Sequence, residues 1–264
     1  MENVVIFEER TYLSADKRTQ IHGYIWRPEG IPLRGIIQIS HGMCEYIKRY
    51  DAWARRFCEI GFVVCGNDHL GHGETAENAE ELGFIPQKIG ADCLVEDLHA
   101  MSQLIKAEYP ELPLVLYGHS MGSFVLRAYL SRYGEELSAA LISGTAGAGQ
   151  PTAVAKKLAQ TIAAVKGDHH RSKLLTSLAF GAYNKRFEDE QDRRSWLTRE
   201  NVGKASLPRR RYARAARRQA AAPRLRVRSP MLEHRLGKER YQKRPVFRTA
   251  PQRAPQVRAR RRWR

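Results

Sequence analysis

Four short apolar runs constrain this chain most: "GIIQIS" (35–40), "FVVCGND" (62–68), "PLVLYGHS" (113–120) and "SAALISG" (138–144). Each is too continuously apolar for a strand with one wet face, and reads as a strand buried on both. Helical patterns separate them. Tyr50, Trp53, Ala54 and Phe57 mark a helix that stops near Gly61. Leu94, Leu98, Met101, Leu104 and Ile105 mark a second, with Pro110 after its end, and "MGSFVLRAYLSRYG" a third. Upstream, "VVIFEERTYL" and "IHGYIWRP" read as a strand pair in a hairpin. Such alternation predicts an α/β fold with a mostly parallel sheet flanked by helices. Ligands of such sheets bind beyond the carboxyl ends of the strands. Here those ends carry His41-Gly42-Met43, Asp68-His69 and His119-Ser120-Met121, so one site is expected where the three loops converge. The core is assigned to residues 1–144. Residues 145–200, with "AVAKKLAQTIAAVK" and "RSKLLTSLAFGAY", read as a helical cap inserted over the sheet.

The chemistry concentrates at "LYGHSMGSF" (116–124). Gly118-His119-Ser120-Met121-Gly122 fits G-x-S-x-G, after a strand and opening a helix, which is the context a nucleophile elbow requires. The glycines permit a sharp turn, and the helix N-terminus favours developing negative charge near Ser120. The competing reading is a serine that merely caps the helix. An acyl-transfer site also needs donors for an oxyanion. The backbone N–H of Met121 is one, and the N–H of Met43, in the loop after "GIIQIS", is the expected other.

Several motifs in order carry a family likeness: "SHGMCEYIKRY", "NDHLGHGET", "EDLHAMSQLIKAEYPELPLVLYGHSMGSF" and "SGTAG". With "FGAYNKRF" and "SWLTRE" in the insertion, they resemble the monoacylglycerol lipase and lysophospholipase branch of the α/β-hydrolases, the serine aminopeptidase S33-like proteins, and bacterial members most. The likeness covers about residues 20–200. It implies an α/β-hydrolase sheet with a helical cap and ester hydrolysis through an acyl-enzyme on Ser120. It implies single-chain lipid esters such as monoacylglycerols as substrates, peripheral membrane contact through the cap, and no cofactor. It also makes the "DHLGHGET" segment, with His69 and His72, a structural turn. His119 is expected to pack or bond locally, and His22 and His99 read as structural. One departure is Cys44-Glu45-Tyr46, where relatives commonly carry a small residue and then Glu-His. Thiol reagents inhibit if Cys44 lines the site, and it otherwise has a packing role.

The four cysteines, Cys44, Cys58, Cys65 and Cys93, form no CxxC pair and no zinc-like spacing. They are expected to be buried or semi-buried reduced thiols, which suits a cytoplasmic protein. No metal site is expected. The start, "MENVVIFEER", lacks the basic and apolar regions of a signal peptide, and no run approaches a membrane span.

The formal charge of +17 divides unevenly. Residues 1–200 carry a net −3, and residues 201–264 a net +20. In α/β-hydrolases the triad acid and histidine follow the serine in the chain. Downstream of Ser120 the histidines are His169, His170 and His234. Asp168 and His169 are adjacent, whereas a triad takes them from separate loops, and no strand pattern precedes His234. Residues 201–264 hold no Asp and no Ile, but 19 Arg, 10 Ala and 6 Pro. Neither triad partner of Ser120 is identifiable, and the last strands of the sheet have no counterpart. Such a composition is what GC-rich DNA yields in the wrong frame, so a frameshift near residue 200 is expected, with a tail that does not fold natively. The competing reading is a genuine basic tail that binds nucleic acid or anionic lipid through its charge, with Tyr212, Tyr241, Phe247 and Trp263 available to stack on bases.

Overall fold

The computed structural model describes residues 4–86, 89–147 and 152–180. Six strands form one sheet: β1 (Val5–Leu13), β2 (Gln20–Pro28), β3 (Gly35–Ser40), β4 (Phe62–Asn67), β5 (Leu114–His119) and β6 (Ala139–Ser143), in the order β1-β2-β4-β3-β5-β6. The hairpin β1–β2 is antiparallel and pairs antiparallel with β4, while β4, β3, β5 and β6 run parallel. Helices α1 (Asp51–Cys58), α2 (Gly90–Glu108) and α3 (Met121–Tyr133) supply the crossovers. The order places β3 at the centre, where every residue from Gly35 to Ser40 is buried. This is the mostly parallel α/β sheet that the apolar runs predict.

The two faces of β3 show why a continuous apolar run is required there. Ile37 and Ile39 pack with Val64, Ala54 and Cys58 on the α1 side, while Ile36 packs with Val63, Cys65, Met101 and Ile105 on the α2 side. Burying a side chain of this size contributes about 1.5–3 kcal/mol. Gln38 is a polar exception and is hydrogen-bonded at both ends of its amide. Its Nε2 donates to the Leu98 carbonyl (2.7 Å), and its Oε1 accepts from Ser102 Oγ (2.6 Å), which in turn accepts from Tyr129 Oη (3.0 Å). This chain of bonds ties β3, α2 and α3 together and so fixes the strand ends relative to one another.

The helix spacing on α2 holds with one exception. Leu94, Leu98, Met101 and Ile105 are buried, whereas Leu104 is largely exposed. Tyr50 lies in a short 3-10 turn (Ile47–Tyr50) that leads into α1. In the insertion, α4 (Thr152–Lys166) and α5 (Lys173–Phe180) form as the periodicity predicts. Arg171, between them, donates to the Ala79 carbonyl (2.6 Å), anchoring the α4–α5 connection to the loop after β4. No helix among the described residues is long and apolar enough to cross a membrane. The motifs "FGAYNKRF" and "SWLTRE", the change of composition near residue 200 and the basic segment that follows it lie outside the described residues, apart from the opening Phe180.

Candidate active site

Ser120 is the single residue between the end of β5 and the start of α3. Its φ is 51° and its ψ −115°. A non-glycine residue at such φ is strained by about 1–3 kcal/mol and persists only where its surroundings hold it. They do so here through the backbone. Ser120 N–H donates to the Ser143 carbonyl at the end of β6 (2.9 Å), and the Ser120 carbonyl accepts from Ser123 N–H (3.0 Å) and Ser123 Oγ (2.6 Å). The Ser120 side chain makes no capping bond to α3, so the helix-cap reading of this serine fails. Its hydroxyl is left uncommitted among the described residues.

The two elbow glycines are required by close approach. A Cβ on Gly122 would overlap the Ser40 carbonyl oxygen and stand 2.5 Å from its carbon and 2.6 Å from the His41 oxygen. A Cβ on Gly118 would stand 2.6 Å from the Gly122 oxygen and 2.9 Å from Leu126 Cβ. The start of α3 is thus pressed onto the end of β3. His119 sits half-buried, with its ring alongside Gly144, a local packing role as expected.

The loop after β3 meets Ser120 directly, since a Cβ on Gly42 would lie 3.2 Å from Ser120 Cβ. His41 is fully buried behind it. Its Nε2 accepts the His69 backbone N–H (3.0 Å), which leaves the proton on Nδ1 to be donated to the Gly42 carbonyl (2.8 Å). In a planar trans peptide the next N–H points opposite to that carbonyl. His41 therefore turns the Met43 N–H away from itself. Among the described residues, none accepts a hydrogen bond from the Met43 N–H or from the Met121 N–H, the first of α3. Two free backbone donors and a free hydroxyl thus stand in loops at the carboxyl ends of adjacent strands. This arrangement is able to hold a carbonyl oxygen as it becomes an oxyanion.

The turn after β4 supports these loops. Asp68 accepts the N–H groups of Ile47 (2.7 Å) and Glu74 (2.9 Å), and burial pushes its carboxyl up to about 7. His69 Nε2 meets Ser40 Oγ (3.0 Å), and the His41 ring lies 4.4 Å from that of His69 and 5.4 Å from that of His72. All three imidazoles are buried, and burial holds them below the usual histidine range, His69 at about 3. His69 and His72 are structural, as the family likeness implied. A base with a depressed folded pKa contributes stability above its unfolded pKa, about 6.5, and loses it as pH falls toward the folded value. Asp68 works in the opposite direction, gaining stability as pH falls below about 7. Comparison within one site separates the two. A His69→Asn variant is expected to gain on the parent by up to about 1.4 kcal/mol per pH unit below pH 6.5, read by denaturant unfolding across pH 4–8.

The remaining sequence candidates lie elsewhere. His22 approaches Glu74 (3.8 Å), and His99 stacks on Tyr133 (3.6 Å) and meets Glu136 (3.1 Å), so both are structural. His169 stacks on Phe84 at 4.0 Å and lines a cavity of about 360 Å³ with Asp16, Arg18 and Ile89. The cavity's lining takes Leu70, Gly71 and Thr75 from the loop after β4, but no residue from the loop after β3 or from the Ser120 turn. No described histidine or carboxylate bonds the Ser120 hydroxyl. The cysteines are all free, and Cys58, Cys65 and Cys93 are buried. Cys44 departs from the expectation: it is exposed, in a left-handed turn of the Met43–Glu45 loop (φ 60°).

A mostly parallel sheet of this order, with a strained serine between a strand and its following helix, is the α/β-hydrolase fold. A highly thermostable carboxyl esterase from Bacillus coagulans is similar in structure, with a TM-score of 0.67 and 28% identity over 75% of this chain and 64% of that one. A lipase in its open form shares the fold at the same TM-score and 24% identity, over 83% of this chain and 73% of its own. The family model described as Serine aminopeptidase, S33, matches residues 31–234, and the chain belongs to that family. The monoacylglycerol lipase of Mycolicibacterium smegmatis (strain ATCC 700084 / mc(2)155) is 34% identical over 122 residues, which are 46% of this chain and 41% of that protein. The monoglyceride lipase of Rattus norvegicus is 33% identical over 100 residues, 38% of this chain and 31% of its own. The chain thus spans less than half the length of these two relatives.

Proposed function

We propose that this chain is a carboxylic ester hydrolase of the monoacylglycerol lipase type, with Ser120 as the nucleophile. The observation that carries the reading is the backbone of Ser120, held in a strained turn while its hydroxyl has no hydrogen-bond partner among the described residues. In the proposed reaction Ser120 Oγ attacks the ester carbonyl and its proton passes to a base. The tetrahedral oxyanion is held by the N–H groups of Met43 and Met121. The alcohol leaves with the proton, and water then releases the acid from the acyl-serine. Gly118, His119 and Gly122 shape the elbow, and acyl transfer of this kind needs no cofactor. The names of the relatives support monoacylglycerols or similar single-chain lipid esters as substrates. Exposed Val154, Val165, Leu174 and Leu178 on α4 and α5 support peripheral membrane contact through the cap.

The base and its acid are not identifiable in this chain, so we expect turnover to be impaired. Losing triad partners leaves only the residual catalysis that an oxyanion site and binding supply, about 10³–10⁴ over water. The test is hydrolysis of a monoacylglycerol and of a short p-nitrophenyl ester by the full chain and by Ser120→Ala. Slow hydrolysis that Ser120→Ala removes is expected. Hydrolysis that survives the substitution overturns Ser120 as nucleophile, and ordinary enzyme rates overturn the impairment. The net +20 of residues 201–264 favours a second reading, an inactive scaffold whose basic segment binds nucleic acid or anionic membrane. That reading predicts steeply salt-dependent association with polyanions, lost when residues 201–264 are deleted.

A further inference from the structure

Gly42 sits between two anchors, and only one of them is His41. Three residues on, Glu45 folds back so that its Oε2 accepts the Gly42 N–H (3.0 Å). The left-handed turn at Cys44 makes this reversal (φ 60°). The same Oε2 accepts from the Tyr50 hydroxyl (2.9 Å), and Oε1 accepts from Arg49 Nη1 (2.6 Å). The carboxylate is 11% exposed and has at least one donor on each oxygen, so its position is fixed from the 3-10 turn that leads into α1. A Cβ on Gly42 would lie 3.1 Å from Glu45 Oε2 and 3.2 Å from Ser120 Cβ. Gly42 is therefore sandwiched between this carboxylate and the serine.

These contacts hold the two peptide planes that flank Gly42. Glu45 holds the N–H of the His41–Gly42 peptide, and His41 holds the carbonyl of the Gly42–Met43 peptide. A glycine is otherwise the residue whose φ and ψ are least restricted. With both planes held, the direction of the Met43 N–H is set before any ligand arrives. Preorganised donors of this kind act without reorganisation at the moment of reaction.

We propose that Glu45 is a positioning residue that, opposite His41, aims the Met43 N–H at the oxygen of an ester bound to Ser120. The proposal rests on the reading of Ser120 as nucleophile. It assigns Tyr50 and Arg49 the task of keeping the carboxylate in place. A donor that acts on the oxyanion but not on the ground-state carbonyl changes kcat and leaves KM nearly unchanged.

The test uses the full chain and its Glu45→Ala, Glu45→Gln and Ser120→Ala variants. The first readout is amide hydrogen exchange in the segment spanning residues 39–46. The second is kcat and KM for p-nitrophenyl butyrate. Glu45→Ala is expected to speed exchange at Gly42 at least about 10-fold and to lower kcat about 10–100-fold, with KM within about 2-fold; losing an oxyanion donor outright costs about 10²–10³. Glu45→Gln keeps an acceptor for the Gly42 N–H and is expected to restore most of both. Unchanged exchange in Glu45→Ala overturns the proposal, whatever the activity. So does a rise in KM alone, or a loss of kcat that Glu45→Gln does not recover while its melting temperature matches the parent. Hydrolysis that persists in Ser120→Ala overturns the nucleophile instead, and the exchange result still decides whether Glu45 anchors the loop.

Discussion

Gly122→Ala is expected to leave no cooperatively folded domain. The added Cβ would occupy the space of the Ser40 carbonyl, a backbone group at the end of the central strand. Neither side is able to yield. Ser40 is in register with Gly118 across the β3–β5 pair, and Gly122 lies in the first turn of α3, directly after the strained Ser120. Moving α3 outward would pull Val125, Leu126 and Tyr129 from the core they share with α2. The expected cost exceeds about 4 kcal/mol, at the far end of single-substitution effects and a large part of the stability of an ordinary domain. A thermal melt followed by circular dichroism checks this. A cooperative transition within a few degrees of the parent's would show that the contact between β3 and α3 is looser than described.

The second large effect concerns catalysis. Translating the coding DNA across codons 190–264 in the other two frames is expected to continue from "SWLTR" into apolar strands, a Gly-Asp-x-Asp type loop and a late histidine. A chain carrying that continuation is expected to gain a base and an acid for Ser120. It is expected to hydrolyse short acyl esters at least about 10³-fold faster than the present chain, the scale on which triad partners act. It also gains strands to lie beyond β6, where Leu141 is 44% exposed. Among the described residues β6 is an edge of the sheet, and an uncovered edge favours aggregation, so the present chain is expected to be the less soluble of the two. If no frame restores these features, the basic segment is genuine and polyanion binding becomes the leading function.

The sheet was legible because its central strands, β3 and β4, are buried on both faces; β6, which "SAALISG" predicts to be another such strand, is instead exposed or half-buried along its length. "GIIQIS" and "FVVCGN" have no other stable use, and their bounds match the run of apolar residues to within a residue. The helices were legible from spacing, and Leu104 misled only because it flanks the buried stripe of Leu94, Leu98, Met101 and Ile105 without lying on it. The elbow was legible as a motif, but its decisive property was not. That Ser120 spends its backbone and spares its hydroxyl depends on Ser143 and Ser123, and Ser143 is 23 residues away. The tautomer of His41 is set by the backbone of His69, a contact between loops of different strands that no local pattern encodes. Glu45 was missed as a positioning residue for the same reason. Its only local signals are Arg49 four residues on and Tyr50 five on, which also suit an ordinary solvated helix start.

If Ser120 is the nucleophile, it forms a covalent adduct with a serine-directed phosphonate. The full chain would be incubated with a fluorophosphonate, digested, and the peptide containing Ser120 weighed by mass spectrometry, with Ser120→Ala in parallel. Slow modification confined to Ser120, and absent from the variant, is expected. A cooperatively folded chain that stays unmodified at Ser120, or is modified equally in Ser120→Ala, would contradict a nucleophilic Ser120.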